Sequence, residues 1–97
     1  MSNRDEYVAK MKAQLDQWNT EIAKWEARSR EAQTGARAEY DKRLEALHQH
    51  REQAMYQLRL IQSAAGDAWM DLMKGTDEAW ARMREAFDKT SSHFRAK

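Results

Sequence analysis

Glu45 and His48, in the stretch EYDKRLEALHQHREQA, stand one helical turn apart as E-x-x-H. On a helix this spacing can offer a carboxylate and an imidazole to one metal ion, as paired copies of the motif do in di-iron helical bundles. Such a site needs a second copy and further inward carboxylates, and the chain carries one copy. Leu44 and Leu47 lie on an apolar seam, which turns Glu45 and His48 away from it and toward solvent. His48 and His50 fall about 200° apart around a helix, so their imidazoles cannot chelate one ion. His93 stands in the final turn of a helical segment, where a cation is favoured by the helix dipole. Ser2, Ser29, Ser63, Ser91 and Ser92 have no nucleophile elbow around them, and no glycine-rich phosphate loop occurs. The expectation is a protein without catalytic, cofactor-binding or metal residues, and so not an enzyme.

The elements that would position any site are helices. The 97 residues include no proline and only three glycines, Gly35, Gly66 and Gly75. Valine appears once and isoleucine twice, whereas strong helix formers dominate, so the chain reads as one all-α domain. Charged residues make up 34% of the sequence, yet the formal net charge is only +1. Divided at residues 34 and 65, the chain shows no sign asymmetry along its length. A nucleic-acid partner is therefore not expected, because phosphate neutralisation needs a basic face. The absence of cysteine suits a reducing compartment. The polar N-terminus MSNRDEYVAK has no apolar core of a secretory signal, and no apolar run approaches the roughly 20 residues of a membrane span. A cytoplasmic protein is expected.

Asn3 and Glu6 have the spacing of a capping box. From there Val8, Met11, Leu15, Trp18, Ile22 and Trp25 alternate spacings of three and four, a heptad seam that continues to Ser29 and Ala32. A second seam runs through Tyr40, Leu44, Leu47, Arg51, Ala54, Leu58, Ile61 and Ala65, slipped by one residue relative to the first. Gly35 is the only breaker between them. Two readings follow: an unbroken helix with a register skip, which the flanking helix formers favour, or a tight turn at Thr34-Gly35. At Gly66 the chain should reverse, with Gly66 as C-cap and Asp67 as the next N-cap. Helical segments are expected over about 3–33, 36–63 and 67–94.

In the last segment Asp67-Ala68-Trp69 is echoed eleven residues later by Glu78-Ala79-Trp80. Trp69, Leu72, Met73, Trp80, Met83, Phe87 and Phe94 share one stripe, and an eleven-residue beat implies a nearly straight helix. The stripe is expected to pack within the chain on Leu44, Leu47, Leu58 and Ile61. The architecture expected is a long helix folded back once as an antiparallel hairpin, with a compact three-helix bundle turning at Thr34-Gly35 as the alternative. In the hairpin, Val8 to Trp25 would lie bare, a larger patch than monomers tolerate, and would demand a second copy in a homodimer or higher assembly. Acid-before-base pairs at four-residue spacing, Glu6/Lys10, Glu26/Arg30, Glu39/Arg43, Glu78/Arg82 and Glu85/Lys89, read as solvated faces. An aromatic face over residues 69–94 would also suit a membrane or lipid surface, but its polar side has no basic surplus, so lipid is the alternative to a protein partner.

The stretches DEYVAKMKAQLDQWNTEIAKWEA, EYDKRLEALHQHREQA and SAAGDAW together resemble small bacterial coiled-coil proteins linked to stress responses, over nearly the whole chain. Gly35 departs from that pattern, standing where another helix former belongs. The resemblance implies a cytoplasmic, non-enzymatic helical protein linked to stress, with no established biochemical activity and no catalytic residues to transfer.

Overall fold

Backbone propensity alone would carry one helix from Asn3 to Ser63, but the two seams on it would then point about 100° apart, the angular cost of a one-residue slip. In the computed structural model, which describes residues 3–95, the chain resolves this conflict by breaking. Helix α1 spans Asn3–Glu31, α2 spans Thr34–Ser63 and α3 spans Ala68–Arg95. The break is two residues long and lies just before Thr34-Gly35. Ala32 N–H still reaches Ser29 O at 3.2 Å, then Gln33 is extended at φ −67°, ψ 156° and its carbonyl accepts from Arg37 N–H at 2.8 Å. The favoured expectation of a continuous helix is thus corrected. Three separate helices replace it, with the break upstream of Thr34-Gly35 and Gly35 inside the first turn of α2.

The second reversal follows the sequence more closely. Ala64 ends α2 in an extended conformation, and Gly66 takes φ +56°, the left-handed region that glycine enters without a Cβ clash. Asp67 stands immediately before the first residue of α3 and accepts Met70 N–H at 3.0 Å through its carbonyl. Asn3, expected as a capping residue, is already within α1.

Each helix buries one heptad seam. On α1 it is Met11, Leu15, Trp18, Ile22, Trp25 and Ser29; on α2, Tyr40, Leu44, Leu47, Ala54, Leu58 and Ile61. On α3, Trp69, Met73, Thr76, Trp80, Met83, Phe87, Thr90 and Phe94 follow spacings of four and three throughout. The eleven-residue interval from Trp69 to Trp80 is one four-three-four step of this seam, so α3 shares the periodicity of the other two helices. Of the residues expected to pack within the chain, Leu44, Leu47, Leu58, Ile61, Trp80, Met83 and Phe94 are buried, whereas Trp69, Leu72, Met73 and Phe87 are half-buried.

The helices run up, down and up in a bundle 52 Å long and about 20 Å across. The backbones of α2 and α3 come closest, and those of α1 and α3 stay widest apart. Small buried residues, Ala54 and Ala79 among them, explain the first, and rings filling the gap explain the second. Thr76 and Thr90 are buried without an unmet hydroxyl because each donates to the carbonyl four residues back, Leu72 O at 3.1 Å and Ala86 O at 2.9 Å. Among the described residues no helix is long and apolar enough to cross a membrane.

Candidate functional site

The residues assigned from sequence to an oligomer interface are covered by their own chain. Met11, Leu15, Trp18, Ile22 and Trp25 are each at most 9% exposed, and Val8 packs against the same core. The bare arm that motivated a second copy does not exist in this conformation, because the break at Ala32–Gln33 lets α1 fold back onto α2 and α3.

What covers α1 is a ladder of rings. Trp18 sits 6.0 Å from both Trp80 and Phe87, centroid to centroid, and Trp25 lies 4.9 Å from Phe87. Trp25 also stacks on Phe94 at 5.4 Å, and Tyr40 stacks on Phe94 at 4.6 Å. Arg28 adds its guanidinium 5.2 Å from the Phe94 ring, within cation–π range. At the other end Tyr7 meets Trp69 at 6.2 Å. The ladder repeats every seven residues because Trp18 and Trp25 on α1 face Trp80, Phe87 and Phe94 on α3, both series one heptad apart.

Among the described residues, five side-chain hydrogen bonds tie Arg4, Tyr7, Asn19, Glu26 and Ser29 of α1 to the rest of the molecule. Arg4 Nη1 donates to Ala64 O at 2.7 Å, tying the start of α1 to the end of α2. Tyr7 OH donates to Asp77 Oδ1 at 2.6 Å. Burial, reinforced by the Asp77 carboxylate, pushes the Tyr7 phenol well above its ordinary ionisation range. Ser29 Oγ donates to Asp41 Oδ1 at 2.5 Å, Arg51 Nη1 to Asn19 Oδ1 at 3.1 Å, and Glu26 Oε1 lies 3.1 Å from His48 Nε2. Arg51 thus occupies a seam position with its head outside the core, bonded across to α1.

No protein-family model, curated protein or solved structure matches this chain.

The E-x-x-H pair divides between two surroundings. Glu45 is exposed, but His48 is half-buried and turned to Glu26 of α1, not to solvent. Among the described residues no group of three or more His, Cys, Asp or Glu side chains converges as metal ligands do. His93 is half-buried edge-on against Tyr40 at 5.4 Å, so its surroundings are aromatic as well as helix-terminal. Of the five charge pairs expected along the helices, Glu39–Arg43 at 3.4 Å and Glu85–Lys89 at 3.1 Å form, while Glu26 is drawn to His48 instead of Arg30.

Sequence reasoning missed the polar half of this site. Arg4, Tyr7, Asn19, Asp41 and Asp77 flank the seams, where residue type gives little guidance until the rotation of each helix is known. Thr90 was missed for another reason: it reads as polar, although it completes the strict four-three spacing of α3. The ladder and the cross-links together form a large, specific, partly polar surface on α1, rich in the Trp, Tyr, Met and Arg that mark recognition interfaces.

Proposed function

We propose that the chain is a non-enzymatic helical interaction protein that associates with a second copy of itself by exchanging α1. The observation that carries this reading is the character of the α1 contact: aromatic anchors plus five side-chain hydrogen bonds, attached through a link of two residues. Gln33 makes no side-chain cap on α2, and good helix formers stand before it at Glu31-Ala32 and again from Ala36 onward, after Thr34-Gly35. Straightened through Gln33, α1 and α2 form one helix about 90 Å long, and α1 reaches the α2–α3 pair of a partner. Every contact of the closed chain is then remade between chains, and two-fold symmetry closes the assembly at a dimer. Self-association is therefore kept as the function, with exchange in place of a permanently bare arm. The stress connection and the cytoplasmic setting rest on the resemblance and the composition.

Closure within one chain benefits from an effective concentration on the order of millimolar, so the closed monomer is favoured at micromolar protein. The link sets the balance. A chain lacking Gln33 loses the extended residue and brings both seams into one uninterrupted heptad register, and light scattering should give twice the monomer mass. Thr34→Pro acts in reverse. Proline suits the first helical position, and the extended Gln33 before it suits a pre-proline residue, but a continuous helix loses about 3 kcal/mol. That variant should stay monomeric at concentrations where wild type begins to dimerise. A folded, monomeric chain without Gln33 would defeat the reading.

One observation favours a second reading. α3 is the most amphipathic helix, and its half-exposed Phe87 opens with Trp18 onto a groove between α1 and α3. Release of α1 would then present an aromatic face to lipid. A tryptophan blue shift on adding neutral vesicles, absent in Thr34→Pro, would support it over exchange.

A further inference from the structure

The near-zero net charge hides a segregation that only the fold creates. On one side of α2, the groove toward α1 presents Glu26, Asp41 and Glu45 against Arg30. On the other, the groove toward α3 presents Arg43 and His50 from α2 with Arg82 and Lys89 from α3, over a floor that includes Ala46 and Ala86. This second groove holds about 290 Å³. Its acidic neighbours are already engaged: Glu85 lies 3.1 Å from Lys89, and Glu39 lies 3.4 Å from Arg43 Nε without the alignment of a hydrogen bond. Among the described residues Arg82 makes no ion pair.

Two buried polar atoms belong to this same groove and lack hydrogen-bond partners among the described residues, Arg43 Nε and His50 Nδ1. The Arg43 Nε–H has the Glu39 carboxylate nearby but not aligned to accept, and it stands beside two further cations across the groove. We infer that the groove between α2 and α3 binds a phosphate-type oxyanion whose organic or acyl portion lies along the alanine floor. Phosphate oxygens can accept from donors converging from several directions, which matches two guanidinium groups, an ammonium and an imidazole drawn from facing helices. Arg43, Arg82 and Lys89 outnumber Glu85 on the walls, and over the low-dielectric floor that cationic surplus focuses the field there despite the balanced total. Because α2 and α3 stay together in both the closed and the exchanged forms, this site is independent of what α1 does.

The test follows backbone amide chemical shifts of the full chain during titration with sodium phosphate, against sodium chloride at matched ionic strength. A parallel arm uses phosphatidylcholine vesicles with and without phosphatidic acid. The expected result is a saturable response at Ala46, Ala86 and Thr90 that chloride and neutral vesicles do not reproduce. Arg82→Gln, at an exposed position, should weaken it at least tenfold, as should Lys89→Gln, whereas Arg30→Gln in the acidic groove should leave it unchanged. Response to free phosphate identifies a soluble ligand, and response confined to phosphatidic acid vesicles identifies a lipid headgroup; either supports the site. A non-saturating response, one matched by chloride, or equal affinity in Arg82→Gln overturns it.

Discussion

The bundle contains two kinds of helix contact. Between α2 and α3 the backbones approach closely over small residues, with Ala54 and Ala79 buried and Gly75 lying against Gln57. Between α1 and its neighbours, large rings hold the helices apart and hydrogen bonds bridge the flanks. The first resembles the interior of a single folding unit; the second resembles a recognition interface folded back on its own chain. A close-packed small-residue seam fails when volume is added, and an aromatic seam fails when volume is removed. In the proposed exchange, α2–α3 is the permanent hairpin and α1 is the part that changes partners.

The largest expected effect is at the aromatic seam. Trp25→Ala should cost about 3–5 kcal/mol in denaturant unfolding, because both the rings it touches and the space it fills are lost. Trp18→Lys should likewise destabilise the fold of a single chain, not merely separate chains. A cost below about 1 kcal/mol for Trp25→Ala would mean that α1 is not held by its rings. Next comes the close seam: Ala54→Leu should cost about 1–3 kcal/mol through overpacking, while Ala81→Leu on the exposed face of α3 should be nearly neutral. Equal effects at the two positions would erase the distinction between the seams.

Smaller effects sharpen the same contrast. A Cβ at Gly75 would lie 3.2 Å from Gln57 Oε1, the far end of a flexible side chain. Gly75→Ala should therefore gain helix propensity and stabilise the protein by up to about 1 kcal/mol in thermal unfolding. A loss would show that the α2–α3 approach leaves no room even for a methyl group. At the α1 flank, the raised ionisation of the Tyr7 phenol has a definite sign. Its contribution is fully present below the unfolded-state value near pH 10 and is lost as pH rises beyond it. Stability of wild type should fall more steeply above about pH 10 than that of Tyr7→Phe, and parallel profiles would show that neither burial nor Asp77 raises the phenol in the folded chain.

Helix content, both seams of α1 and α2, and the reversal at Gly66 were legible because strict spacing and a left-handed glycine leave local marks. The break at Ala32–Gln33 left only an indirect one. Both residues tolerate helix, and the one-residue slip between seams fits a skip as well as a turn. Burying Trp18, Ile22 and Trp25 within the chain outweighs the few hydrogen bonds lost at the link, and that gain is visible only once α3 is in place. Composition could not separate a partner in the same chain from one in another, since the identical seam serves both. Charge counted along the sequence likewise missed Arg43, Arg82 and Lys89 gathering on one groove, because sign segregates around α2 and not along the chain.

The most direct test of α1 as a closing and exchangeable arm is an intrachain distance between spin labels at the exposed positions Ala13 and Gln53, with labelled chains diluted into unlabelled protein. Closed, the two sites lie on neighbouring helices and the labels should be about 20 Å apart. In the chain lacking Gln33 the same pair should lie about 60 Å apart, along one continuous helix. Wild-type protein at micromolar concentration should give the short distance. A long distance in wild type would mean that α1 and α2 never separate at Ala32–Gln33, and would contradict the closed bundle itself.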